Sequence, residues 1–158
     1  MAITSAICNS FKQEILVEGH NFTNGADSFK LALFTSSATL SKSTTAYTAP
    51  SDGTASPTNT HEVSSTSTGY TTGGNALTST TPVLSGDTAC VKFADTSISS
   101  ASFTARGCLI YNSTAVTGFT TNRAVCAVNF GADKTVTSGT FTVQFPAQTA
   151  GNAIVQIA

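Results

Sequence analysis

Apolar and polar residues alternate most strictly over residues 101–146. Residues 106–111 and 123–130 are rich in branched and aromatic side chains, which predicts two strands. In the second, Ala124, Cys126, Val128 and Phe130 share one face, and Val125, Ala127 and Asn129 the other. That period of two is the mark of a half-buried strand. Residues 112–122 are polar, contain Gly118, and fit a hairpin loop. Gly131-Ala132-Asp133-Lys134 carries turn chemistry. Beyond a break at Ser138-Gly139, Phe141, Val143 and Phe145 alternate with Thr142 and Gln144, and are expected to point into the core. Pro146 cannot donate to a ladder and ends the strand or sets it at an edge. The expectation is a three-strand antiparallel meander.

The pattern changes near the start. Ile3, Ile7, Phe11 and Ile15 recur every four residues, and Leu16 broadens the stripe. With Thr4 or Ser5 as N-cap and Gly19 as C-cap, residues 5–18 read as one amphipathic helix. It packs either on its own domain or on a neighbouring subunit. Residues 28–35 form the next strand, with Phe29, Leu31 and Leu33 on one face and Lys30, Ala32 and Phe34 on the other.

Residues 36–81 are dominated by Ser, Thr, Gly and Pro and read as a long loop region of the kind used for contacts. Order is expected from about Glu62 onward, with an exposed protrusion over residues 49–60. Pro82-Val83-Leu84, a Ser85-Gly86-Asp87 turn and a strand over residues 88–93 follow, with Ala89, Val91 and Phe93 inward. Residues 97–102 read as a connector or irregular strand. A short strand over residues 152–158 needs a partner within the domain or in a neighbour. The count is about seven to nine strands and one helix. The expected fold is all-β: an antiparallel β-sandwich or jelly-roll-like domain over residues 28–158, preceded by an N-terminal α-helix and connector over residues 1–27.

Composition narrows the function classes. Charged residues make up 9% of the 158-residue chain, and the formal net charge is −1. Ser and Thr together supply roughly a third of the positions, far above common usage. No basic patch points to nucleic acid. No apolar run approaches the ~20 residues that span a bilayer, and residues 1–5 lack the pattern of a secretion signal. Cys8, Cys90, Cys108 and Cys126 include no C-x-x-C pair, so zinc is not expected. With no export signal they read as free buried thiols.

Candidate chemistry is sparse. His20 and His61 lie in polar loops without a metal or triad motif, and are expected to be solvent-exposed. Nothing selects a carboxylate pair such as Asp87 and Asp95 for hydrolysis. Gly73-Gly74 matches no phosphate-binding loop. Asn21-Phe22-Thr23 and Asn112-Ser113-Thr114 fit the glycosylation pattern, but without a secretion signal they read as chance matches. Arg106 is either an outward charge or an inward one paired with Asp95 or Asp133, since an unpaired buried charge is costly. No catalytic, cofactor-binding or metal residue is assigned.

Four phrases, taken in order, resemble a family of small structural proteins of tailed bacteriophages. They are Phe29-Lys30-Leu31-Ala32-Leu33-Phe34-Thr35-Ser36-Ser37-Ala38-Thr39-Leu40, Gly69-Tyr70-Thr71-Thr72-Gly73-Gly74-Asn75-Ala76-Leu77, Phe103-Thr104-Ala105-Arg106-Gly107-Cys108-Leu109-Ile110-Tyr111-Asn112 and Asp133-Lys134-Thr135-Val136-Thr137-Ser138-Gly139-Thr140-Phe141-Thr142-Val143. The likeness runs from the N-terminal helix nearly to the C-terminus, and residues 48–60 are longer than in the family's pattern. The resemblance implies a virion component without catalysis or cofactors. The expected role is capsid decoration (cement) through contacts with the major capsid protein, other virion proteins or copies of itself, with no nucleic acid or membrane partner. The alternative is a tail or adhesion component that recognises a host surface glycan, with Tyr47 and Tyr70 as stacking residues.

Overall fold

The structure is a computed structural model that describes residues 2–48 and 61–158. The expected protrusion over residues 49–60 lies outside the described residues. Among the described residues, eight strands form two sheets, and these strands pair antiparallel throughout. They are β1 (Ala6–Ile7), β2 (Phe29–Phe34), β3 (Asn75–Leu77), β4 (Val83–Ser85), β5 (Thr88–Val91), β6 (Thr96–Asn112), β7 (Arg123–Val143) and β8 (Val155–Ile157). The larger sheet has the order β1-β7-β6-β2-β3, and the smaller β4-β5-β8. The protein is an all-β sandwich.

Side chains from both sheets meet in one core. Phe22 stacks on Phe29 of β2, with centroids 4.6 Å apart, and Phe93 beyond β5 packs against Phe22, Phe29 and Phe145. β2 is buried at every position but Lys30, and β6 and β3 pair its two edges. The two-residue turn of the β4–β5 hairpin falls at Gly86-Asp87, as the sequence indicated. The terminal strand finds its partner within the domain, pairing Val155 with Val91.

The N-terminal helix is shorter than its apolar stripe implied. The α-helix (α1) spans Asn9–Glu14 and ends in a 3-10 turn at Ile15–Val17. The residues ahead of it are extended: Ala6 and Ile7 pair with Ala127 and Cys126, and Ile3 bridges to Leu40. Ile3 and Ile7 are therefore apolar sheet positions that mimic a helical repeat. Cys8 stands at the N-cap, while the Ser5 hydroxyl accepts the Asn129 N–H. Glu18, not Gly19, takes the left-handed conformation at the C-terminal end. Phe11 packs on His20 and Phe22, so the helix lies on its own domain. Leu16 is 83% exposed and does not extend the stripe inward.

The expected three-strand meander is one long hairpin. Gly131-Ala132-Asp133-Lys134 does not turn the chain. Ala105 pairs with Lys134 and Gly107 with Asn129, so Arg106 alone faces residues 130–133. The glycine and aspartate serve a bulge, which needs the same backbone freedom as a turn. Residues 97–102 are irregular strand within β6, one of the two expected forms, with register shifts at bulges around Ser100 and, on β7, Ser138, both at positive φ. Gly107 lies too close to the Val128 carbonyl and the Ile3 side chain to accept a Cβ. Phe141, Val143 and Phe145 face the core side but remain only half-buried, because β7 is an outer strand there. β1 covers β7 only at Cys126 and Ala127. Among the described residues, no strand pairs with the outer edge of β7 from Ala132 to Val143.

Residues 36–48 are well integrated despite their composition. Ala38, Leu40 and Tyr47 are buried, and the Tyr47 N–H donates to the Asn122 carbonyl. Order therefore precedes Glu62.

Candidate functional site

Two buried polar clusters and one clamp organise the loops. All three tyrosines of the chain meet around Glu62. The Tyr70 hydroxyl donates to Glu62 Oε1 at 2.6 Å and accepts the Leu33 N–H at 3.0 Å. The Tyr47 hydroxyl donates to Glu62 Oε2 at 2.8 Å, and the Gly73 N–H donates to Oε1 at 2.8 Å. Tyr111 stacks on Tyr47 at 4.6 Å and donates to the Gly73 carbonyl. Gly74 has φ +78° and a Cβ there would strike the Leu31 carbonyl, so glycine alone lets the loop pass β2 this closely. Burial, reinforced by the neighbouring Glu62 charge, pushes the Tyr70 and Tyr111 hydroxyls well above their ordinary pKa. Tyr47 and Tyr70 are 5% and 2% exposed, so neither offers a ring to a glycan, contrary to expectation.

The second cluster corrects the placement of His20, which is 6% exposed. Its Nε2 lies 2.7 Å from Glu14 Oε2, and Asn112 Nδ2 lies 3.2 Å from Nδ1. Asn112 Nδ2 also donates to Asp27 Oδ2 at 2.7 Å. An amide donor on Nδ1 places the imidazole proton on Nε2, directed at Glu14. Both ring nitrogens are thereby engaged. Burial is the main cause that lowers the His20 pKa, and nearby Arg123 adds to it. Glu14 and Asp27 oppose the shift.

Arg123 is fully buried. Its guanidinium donates to the carbonyls of Gly19, Thr114 and Thr120 and lies over the Phe119 ring, tying the β6–β7 loop to the N-terminal segment. Asn112 is equally buried, which closes that glycosylation motif in the folded chain.

Arg106 is half-exposed and pairs with Asp133, Nε to Oδ1 at 2.8 Å, while Nη1 reaches the Gly131 carbonyl. It clasps the bulge that it faces. Asp95 instead accepts the Phe145 N–H, and Asp87 sits in the β4–β5 turn. The four cysteines are free and buried. Burial pushes Cys8 up to about 11 and Cys108 up to about 12, and raises Cys126 as well. Among the described residues, no group of His, Cys, Asp and Glu is placed to hold a metal ion. No helix there is long and apolar enough to cross a membrane.

The remaining feature is the surface along β7. Phe130, Val136, Phe141 and Val143 are half-buried against the core, and a cleft of about 350 Å³ lined by Phe130, Lys134, Phe141, Thr142, Val143 and Gln144 lies beside them. Sequence alternation marked the apolar positions, but not the missing neighbour on the strand's outer side. Among the described residues, these features define a two-sheet antiparallel β-sandwich with buried polar ties between loops and a long open edge on β7. No protein-family model, curated protein or solved structure matches the chain.

Proposed function

We propose that this chain is a structural component of a tailed-phage virion and decorates the capsid by protein–protein contacts. The observation that carries the reading is the β7 surface, an edge that no strand pairs among the described residues, beside a half-buried apolar row. Such a surface gains backbone hydrogen bonds and apolar burial only when another protein covers it, a neighbouring copy within the decorating array included. The sequence resemblance over residues 29–40, 69–77, 103–112 and 133–143 supports the choice of partner class. Low charge also suits a protein arrayed in many copies, because neighbours repel little. Multivalent attachment then lets modest contacts add up to firm binding. The test adds purified protein to phage heads lacking it. Saturable uptake in fixed ratio to the capsid subunit, with heads made more resistant to heat, is the expected result. Absence of uptake overturns the reading.

A further inference from the structure

We infer that the open edge of β7 pairs with the same edge of a second copy, antiparallel across a two-fold axis, joining two larger sheets into one. The inference stands whether or not the chain is a virion component. From Thr135 to Val143 the strand has no charged residue and no proline, two usual guards of an exposed edge; the charged pair Asp133 and Lys134 stands at its start. Its interruption is the bulge at Ser138.

The occupant follows from self-complementarity. Because of the bulge, Val136, Gly139, Phe141 and Val143 lie toward the core side. Thr135, Thr137, Thr140 and Thr142 are exposed. One two-fold register matches the faces on either side of the bulge, where Ser138 meets Gly139 of the second copy. It sets Val136 against Phe141 of the second copy, Thr137 against Thr140, and Thr135 against Thr142. Within one chain, Phe103 already pairs with Val136 and Ile98 with Phe141. The register therefore builds a continuous apolar row: Phe103, Val136, then Phe141 and Ile98 of the second copy.

The outer face behaves alike. The Thr104 and Thr135 hydroxyls are 2.8 Å apart, and those of Ser97 and Thr142 are 2.9 Å apart. The same register joins these two pairs into a four-hydroxyl row across the interface, a favourable cross-strand arrangement. Lys134 then faces Val143 of the second copy, so no like charges meet. The other outer strands are too short to occupy this edge: β1 has two residues, and β3, β4 and β8 three each.

The experiment uses the full chain. Sedimentation over a concentration series is expected to show a monomer–dimer equilibrium; monomer throughout, or a trimer, overturns the inference. Thr137→Cys protein mixed with Thr140→Cys protein is expected to form a disulfide-linked dimer on mild oxidation, since directly opposed Cβ atoms lie about 4.5–5.5 Å apart. Neither protein alone should do so. Linkage in a mixture of Thr137→Cys and Thr142→Cys instead would overturn the register. The double variant Thr137→Lys/Thr140→Lys opposes like charges and is expected to weaken the dimer about tenfold or more, with unchanged tyrosine near-ultraviolet dichroism reporting an intact fold. An undiminished dimer from that folded variant overturns the edge as the interface, and the cysteine pairs decide the matter independently if it fails to fold.

Discussion

Removing the Glu62 carboxylate should uncouple the 61–74 segment from the core. In Glu62→Ala, three donors lose their acceptor: the Tyr47 and Tyr70 hydroxyls and the Gly73 N–H. A hydrogen bond to a charged group contributes about 1.5–3 kcal/mol, and a stranded buried donor costs about as much. Glu62 is itself only partly buried, so water replaces some of what is lost. The terms do not add fully, and a net loss of about 3–5 kcal/mol is expected. That is a large part of the ~5–15 kcal/mol that holds a domain folded. At about 2–4 °C per kcal/mol, the melting temperature should fall by about 6–20 °C. Glu62→Gln retains one acceptor oxygen and should lose about 1–3 kcal/mol. The assay is denaturant unfolding followed by near-ultraviolet dichroism. The chain has three tyrosines and no tryptophan, and all three tyrosines surround this carboxylate, so the signal reads the site itself. A Glu62→Ala protein within about 1 kcal/mol of the parent, with its tyrosine signal unchanged, would refute the reasoning.

Other predictions follow from the same contacts. His20 has a folded pKa below its ordinary 6.5, so its contribution is present above pH 6.5 and lost as pH falls through the folded value. Melting temperature should drop on acidification in that window and drop less in His20→Gln, which holds no titrating ring. Tyr70 and Tyr111 have folded pKa values raised above 10.0, so their contribution is complete below pH 10 and lost at higher pH. Tyrosinate absorbance should therefore rise together with alkaline unfolding, and a rise well before unfolding would contradict the burial. Gly74→Ala combines positive φ with a backbone collision and should destabilise by about 3 kcal/mol or more, read by denaturant titration. Thiol reagents should label the four buried cysteines only as the chain unfolds; rapid native labelling of Cys108 or Cys126 would contradict their setting.

Local chemistry was legible wherever the cause lay within a few residues. The Gly86-Asp87 turn, the β2 strand and the alternation of Phe141, Val143 and Phe145 all follow from turn residues and period. Failures arose where two structures share one signal. Ile3 and Ile7 satisfy a helical repeat but belong to extended chain paired with Leu40 and Cys126. Gly131 and Asp133 carry turn chemistry but serve a bulge clasped by Arg106. Long-range partners were the other obstacle. His20 looks like a loop histidine until Asn112, 92 positions away, reaches its ring. Tyr47 and Tyr70 look available until Glu62 gathers them inward. A hydroxyl-rich stretch reads as loop because its few apolar anchors, such as Ala38 and Leu40, carry no period.

If the protein covers a capsid in many copies, as proposed, quantitative mass spectrometry of purified particles, with the major capsid protein as internal reference, should find it abundant and in fixed ratio to the capsid subunit. A handful of copies per particle, or none, would overturn the proposal.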